Sequence, residues 1–412
     1  MLSQKWLFIT VALLIAAIAI KQPALLIIAI LFFLTSAVAR LWSRYALQHF
    51  EFKSEISARK VFCGESITLN FTLTNNKFLP LPWVNVEQEV PEEVTFLKGN
   101  VTGGGINQEH AVFSGFFAVG WYHRLTRRYP LKCSKRGIFV FGPSRINSGD
   151  PFGFFRNVID IDKTEYLLVY PRILPLETFS IPSRNPFGDI RIRRHLFEDP
   201  VQVMTTRDWV PGDPLKRIHW KSSARTGRLQ TRVFEPTTTV DVAVFLDVRT
   251  ISNQYYWNEV ATDLLETAVL TATSIASYCV NNGYKFGLYA NEFYFNSDRL
   301  IRLPVSETLE QFKGVLEALA QIRGVPFITI DQLISREAGQ LSWETTLVVI
   351  TSVPTQEVLN SITHFKKTGR NSVLILIGKD LAPVNLDGVT VYQVPEDIYQ
   401  KQVETISLSK VG

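Results

Sequence analysis

The stretch "TVDVAVFLD", residues 239–247, decides how the C-terminal half of this chain folds. It is an apolar run from Val240 to Leu246 with one acid inside, Asp241, and one at its end, Asp247. A strand with one wet face alternates apolar and polar residues, whereas a parallel strand covered on both faces does not. The run therefore reads as a central strand of a parallel sheet. The chain downstream agrees. Residues 259–281 carry a helical period and stop at Asn281-Asn282-Gly283. "YKFGLYA" (284–290) and "RLIRLP" (299–304) read as strands, and 306–322 reads as a helix capped by Ser306. "TTLVVIT" (345–351) and "SVLILIG" (372–378) are strands flanking a helix over 356–368, and "VTVYQV" (389–394) closes the sheet. Strands alternating with helices predict a doubly wound α/β domain over 238–412.

Upstream the pattern changes. "SITLNFTLTN" (66–75) alternates apolar and polar residues, Asn75-Asn76 is a turn signal, and "LPLPWVNVEQEV" (79–90) carries prolines that suit an edge strand. Further strands are expected at 111–118, 128–133 and 138–141. This predicts an antiparallel β-sandwich over 50–165. Residues 166–237 read as a connector, rich in Pro, Arg and Gly at first and ending in a basic segment.

The N-terminus, 1–45, carries two apolar runs, Trp6–Ile20 and Ala24–Ala39, parted only by Lys21-Gln22-Pro23. A spanning helix needs about 20 residues, so each run must recruit its flanks. No small-residue cleavage site follows the first run, which argues against a removed signal peptide. A transmembrane helical hairpin is expected, with two spans. Lys5, Arg40 and Arg44 at its outer ends place both ends, and the soluble domains, in the cytoplasm. The three cysteines, Cys63, Cys133 and Cys279, form neither a metal pattern nor a disulfide framework, as suits a reducing compartment.

The formal charge of the 412 residues is +5, and it is concentrated. From Arg184 to Arg232 there are eleven Lys/Arg against five Asp/Glu. Within this window lies "WVPGDPLKRIHWKSSARTGRL" (209–229). Its cations and tryptophans suit phosphates and base stacking, but the aromatics are few and Asp213 is central. Lipid headgroups are a second reading, though polybasic lipid patches usually adjoin the spanning helix. A third is a clasp, in which Trp220 and Ile218 insert into the sheet domain while Arg217 and Arg225 pair with acids, Asp213 among them.

In an open parallel sheet, ligands bind beyond the carboxyl ends of the strands. The first such end reads "FLDVRTISN" (245–253), with Asp247 closing the strand and Thr250 and Ser252 following. A sheet with an acid here resembles the von Willebrand factor A fold, whose Asp-x-Ser-x-Ser loop holds magnesium through an acid and two hydroxyls. This chain departs from that pattern, with Arg249 and Ile251 at the two serine positions and Thr351-Ser352 where a second acid is expected. A degenerate, metal-free site is expected, with the Arg249 guanidinium paired to Asp247 in the ion's place. There is no phosphate-binding Gly-x-x-x-x-Gly-Lys-Ser/Thr loop and no Gly-x-Ser-x-Gly elbow. No two of the six histidines stand at metal-ligand spacing. Nothing in these patterns argues for an enzyme.

"RDWVPGDPLKRIHWKSSAR" (207–225) resembles the signature of a prokaryotic family catalogued as domain of unknown function fifty-eight. Arg207, Trp209, Gly212, Asp213, Arg217, Ile218, Trp220, Ala224 and Arg225 fall on it. "KRGIFVFGPSRINSGDPFGFF" (135–155) and "LVYPRI" (168–173) resemble two further elements, and 64–91 is similar to the family's sandwich. The resemblance implies a membrane hairpin, a β-sandwich and a von Willebrand factor A-like domain. It also implies a MoxR-type AAA+ ATPase as partner, sometimes with a transglutaminase-like membrane protein, and no demonstrated activity.

These readings together predict a non-enzymatic, membrane-tethered adaptor that serves a MoxR-type ATPase in an envelope-related, assembly or chaperone task. It takes no cofactor and binds no nucleic acid. Arg207, Trp209, Gly212, Asp213, Arg217, Trp220 and Arg225 form its binding surface. Two alternatives stand beside it. One is a magnesium-dependent binding module using Asp247, Thr250 and Ser252. The other is an enzyme acting on cell-envelope precursors.

Overall fold

The computed structural model describes residues 2–20, 22–97, 100–103, 110–177, 179, 198–210, 218–236, 240–251, 260–378, 386–401 and 403–411. The chain divides into two units, Met1–Arg172 with Leu316–Ile322, and Ile173–Val315 with Arg323–Gly412.

The first unit opens with helices α1 (Leu2–Ile20) and α2 (Pro23–Ala46), which pack on each other. Pro23 sits at the start of α2, where its missing N–H costs nothing. An 18-residue stretch of α2 has a mean hydropathy of 2.4, and the helix is long and apolar enough to cross a membrane. The described apolar part of α1, Thr10–Ile20, is shorter. Among the described residues, one span candidate thus stands where two are expected. The buried residues of α2, Ala29, Ser36, Ala39, Ser43 and Ala46, are small and share one face. Its large apolar side chains, Ile27, Leu31, Phe32 and Leu34 among them, are exposed.

Twelve strands follow. They are β1 (Phe50–Ile56), β2 (Lys60–Phe62), β3 (Ser66–Asn75), β4 (Leu81–Pro91), β5 (Val94–Phe96), β6 (Asn100–Gly103), β7 (His110–Val119), β8 (Arg124–Cys133), β9 (Gly137–Phe141), β10 (Ser144–Gly149), β11 (Arg156–Ile161) and β12 (Glu165–Tyr170). Two sheets, ordered β1-β3-β8-β5 and β11-β10-β4-β7-β6, carry the core, and β2-β12-β9 forms a third, smaller one. The alternation in β3 buries Leu69, Phe71 and Leu73 with Val84, Val86, Phe113, Leu131 and Ile146. Phe113 meets Phe71 and Tyr129 edge-on, at 5.3 and 4.6 Å between ring centroids. After β10 the chain turns through "GDPFGFF". A Cβ on Gly149 would lie 2.0 Å from the Phe155 carbonyl oxygen, so no larger residue fits that crossing. Fully buried Asp150 organises the turn by accepting the backbone N–H groups of Phe152, Phe154 and Phe155. Segment Leu316–Ile322 is held in this unit by Arg136, whose guanidinium donates to the carbonyls of Leu319 and Ile322 at 2.8 Å, and by the Lys60–Glu317 ion pair.

The second unit contains β13 (Leu176–Glu177), β14 (Glu198–Asp208), α3 (Trp220–Thr226), β15 (Gln230–Pro236), β16 (Asp241–Leu246), α4 (Thr262–Asn281), β17 (Lys285–Phe293), β18 (Leu300–Ser306), the first part, up to Val315, of α5 (Leu309–Gln321), α6 (Ile330–Ala338), β19 (Thr346–Thr351), α7 (Gln356–Lys367), β20 (Ser372–Ile377), β21 (Thr390–Val394), β22 (Ile406–Ser407) and β23 (Ser409–Val411). Its sheet runs β18-β17-β16-β19-β20-β21-β23. The inner five strands are mutually parallel, while β18 and β23 pair antiparallel at the edges. Alternate residues such as Ala243, Phe245, Leu347 and Val349 pack with Ile330, Leu333 and Ile334 of α6 and Val358 and Ile362 of α7. α4, absent from that cluster, packs on β16, β17, β19 and β20. Cover on both faces explains the unbroken apolar run of β16.

Several sequence expectations need correction. β18 continues to Ser306, so α5 begins at Leu309, with Thr308 accepting from the Gln311 N–H. The sheet closes with β23, beyond 389–394. α6 was absent from the sequence reading; its one-sided pattern of Ile330, Leu333, Ile334 and Ala338 extends over only nine residues. Within 166–237, β14 and β15 pair as an antiparallel ribbon, and α3 precedes β15. Residues 173–177 and Phe179 lie against α4, where the Ser274 hydroxyl accepts the Leu174 N–H and Phe179 meets Tyr278 edge-on.

Candidate functional site

The basic signature stands on the β14–β15 ribbon. Arg207 pairs with Thr231 and Asp208 with Gln230 in the register, and Ile218 forms a further bridge to Thr231. Ile218, Gln230 and Thr231 are buried. The entry to α3 is tightly bonded. His219 Nδ1 accepts the Ser222 N–H at 3.0 Å and so acts as the helix cap. The Ser223 hydroxyl donates to the His219 carbonyl at 3.0 Å and accepts the Gln230 N–H at 2.8 Å, tying helix to ribbon. Gly227 ends the helix in the left-handed region at φ 71°, where a side chain would be strained. Gln230 Nε2 donates to Asp208 Oδ1, and the Trp209 N–H donates to the Leu229 carbonyl.

On this frame three of the side chains named from sequence, Arg207, Trp220 and Arg225, are exposed. Trp220 is 68% exposed. The expectation that it inserts into the sheet domain is thereby overturned: of the residues of α3 only Ser223 is buried. Arg207 and Arg225 are exposed, and Trp209 is half-buried. Arg207 donates to its neighbour's carbonyl, Asp208 O, at 3.1 Å. Among the described residues no acid pairs with Arg225, and Asp213, the acid that the clasp reading names, lies outside them; Arg228 stands 4.0 Å from Asp208. Gly212, Asp213 and Arg217 lie outside the described residues. Lys221, Arg225 and Arg228 thus share one short surface with exposed Val210, Trp220 and Leu229.

The second candidate lies where the strand order reverses, at the carboxyl ends of β16 and β19. Asp247 is buried there. The Thr351 hydroxyl donates to its Oδ2 at 2.9 Å, while Asn291 Nδ2 and the Arg249 N–H donate to Oδ1 at 2.9 and 3.1 Å. Asn291 Oδ1 accepts the Val248 N–H, so this amide is bonded at both ends. Burial pushes the Asp247 carboxyl up to about 6, against the opposing pull of those hydrogen bonds. Arg249 reaches Asp247 through its backbone; its guanidinium Nε donates to the Ile251 carbonyl at 3.1 Å, which corrects the expected side-chain pair. The Thr250 hydroxyl accepts the Ala261 N–H at 2.9 Å, and Ser252 lies outside the described residues. Magnesium requires oxygen ligands in near-octahedral array. The groups that crowd Asp247 present hydrogens to it, so this donor set does not fit the ion. Among the described residues no three His, Cys, Asp or Glu side chains gather in one place.

The sequence reading missed Asn291, Glu292, His219 as a cap, Ser223 and Gln230. The signal for the first two was present, since Asn-Glu interrupts an otherwise apolar strand. Both are buried, and Glu292 accepts the N–H groups of Arg323 and Gly324. Burial raises the Glu292 carboxyl above its ordinary value.

Residues 205–338 match the protein-family model described as "Protein of unknown function DUF58". The chain is similar to the "Uncharacterized protein YeaD" of Bacillus subtilis (strain 168), at 24% identity over 348 residues, covering 83% of this chain and 79% of that one. Among solved structures, the CARDB domain of a Pyrococcus furiosus protein aligns at 9% identity over 30% of this chain and 94% of its own, with a TM-score of 0.19. A cohesin module from a Clostridium perfringens family 33 glycoside hydrolase aligns at 11% identity over 29% of this chain and 95% of its own, with a TM-score of 0.20.

Proposed function

We propose that this chain is a membrane-tethered, non-enzymatic adaptor of the DUF58 kind, and that the α3 surface is where a MoxR-type AAA+ ATPase binds. One observation carries the reading. Trp220 and Arg225, residue types that dominate interface energetics, stand exposed on a short helix held in place by His219, Ser223 and Gln230. A rigid frame lowers the entropy cost of binding. In this reading both α1 and α2 span the membrane, and Lys5, Arg40 and Arg44 keep the two units in the cytoplasm. The sheet is taken as von Willebrand factor A-like. Its first six strands run 3-2-1-4-5-6, as in doubly wound sheets, with Asp247 at the reversal. The Asp247 network then holds the loops that follow β16 and β19 in shape.

Affinity capture of the full chain from native membranes in mild detergent tests the proposal. The wild type should recover a AAA+ ATPase, and Trp220→Ala with Arg225→Glu should lose it while retaining the wild-type melting temperature. An equal yield of ATPase from the double variant, or none from the wild type, refutes it.

A further inference from the structure

The end of the sandwich that receives α2 also gathers exposed aromatic rings. The register shows which loops meet there. β1 begins at Phe50, opposite Asn75 at the end of β3, so the β3–β4 loop lies beside the helix junction. The Tyr122 N–H donates to the Lys77 carbonyl, and Asn75 N–H to that of His123, which brings the β7–β8 loop alongside. Ser148 of β10 pairs with Val84 near the start of β4, so the β10–β11 loop is at the same end. These loops are bonded to the helix terminus. The Lys77 ammonium donates to the carbonyls of Ala46 and Gln48 at 2.5 and 2.7 Å, the Asn76 N–H donates to His49 O, and the Asn157 amide donates to Ser43 O.

The rings on these loops are Phe78, Trp121, Tyr122 and Phe152, each at least 60% exposed. Phe78 and Trp121 stack on one another, with centroids 5.5 Å and planes 4° apart. Phe152 stacks on Phe154 at 5.8 Å. Arg124 and Arg156, the first residues of β8 and β11, are exposed beside them. Asp150, the acid within these loops, is buried and bonded to backbone N–H groups.

We propose that this end of the sandwich rests on the lipid headgroup layer of the membrane that α2 enters. Phe78, Trp121, Tyr122 and Phe152 insert at the polar–apolar boundary, and Arg124 and Arg156 face the phosphates. Bulky rings, and those of Trp and Tyr above all, are favoured at that boundary. The depth agrees. Ala46 lies two residues beyond Arg44, about 3 Å along the helix axis. Loops fastened to Ala46 and Gln48 are therefore level with a cation at the headgroups. The inference rests on the reading of α2 as a span, and on nothing in the α3 surface.

The test uses the full chain in phosphatidylcholine–phosphatidylglycerol vesicles whose acyl chains are brominated near the headgroup. Wild type is compared with Trp121→Phe, which keeps an aromatic ring on the loop. The emission that the variant lacks should be blue-shifted in plain vesicles and mostly lost in brominated ones. If that emission is unquenched, the ring faces water or another protein, and the docking is wrong. Alkaline extraction separates the two premises. A chain that washes off the vesicles overturns both the span and the docking, whereas a retained chain with unquenched Trp121 overturns the docking alone.

Discussion

Asp247 gives the sheet unit a pH dependence of predictable sign. Its carboxyl is raised from an ordinary 3.8 to about 6, chiefly by burial. Between those values the folded protein holds a proton that the unfolded chain has released. Stability therefore falls as pH rises through this window and levels off above it, where the group is ionised in both states. The displacement is roughly two pH units, or about 3 kcal/mol at about 1.36 kcal/mol per unit. The perturbation is Asp247→Asn, which removes the titration and keeps an acceptor for Thr351 or Asn291. The assay is amide hydrogen exchange read on peptides covering β16 and β19, which reports the opening of this sheet whether or not the chain is in a micelle. After correction for intrinsic rates, wild-type protection should fall by about two orders of magnitude between pH 4 and pH 7.5, since about 1.4 kcal/mol is tenfold. The variant should lack that fall. Equal pH dependence in the two proteins would refute the reasoning, because it would mean that Asp247 titrates no differently folded and unfolded.

Three more outcomes follow from particular contacts. Ser223→Ala strands the buried Gln230 N–H and should loosen the α3–β15 junction by about 1–3 kcal/mol; exchange should quicken over 218–231 and not in β16, and uniform exchange would count against it. Burial lowers the Lys77 ammonium to about 8, so the unfolded chain holds more protons than the folded one above that pH. Stability at the helix–sandwich junction should rise from about pH 8 towards 10, and Lys77→Met should abolish the rise when the same exchange assay is read on β1. Burial pushes Cys133 up to about 11 and Cys279 up to about 12, so neither should react with maleimide at pH 7.5, while half-buried Cys63 should react slowly and, on the proposed topology, only from the cytoplasmic side. Labelling of Cys63 from outside would reverse the topology.

Most of the fold was legible where burial imposes a local period. β3 alternates because one face of it meets the core, and β16 is unbroken because helices cover both of its faces. The apolar character of α2 was likewise plain in its composition. The α3 surface was legible as a motif but not as a shape. That Trp220 stands exposed while Ser223 is buried and bonds Gln230, seven residues on, follows from the packing of α3 on the ribbon. The ring cluster at the helix end was hidden for the same kind of reason, since Phe78, Trp121 and Phe152 stand on three loops that only strand pairing brings together.

By itself, then, the sequence determined the α/β and β-rich halves, the apolar N-terminus and the concentration of charge before β16, because each is a property of neighbouring residues. Tertiary structure decided what Asp247 is for. Thr351 lies 104 residues from it and Asn291 lies 44, and no local pattern joins either of them to Asp247. A buried carboxylate takes the donors that the crossing strands deliver to it, and those are set by the order of strands in the sheet.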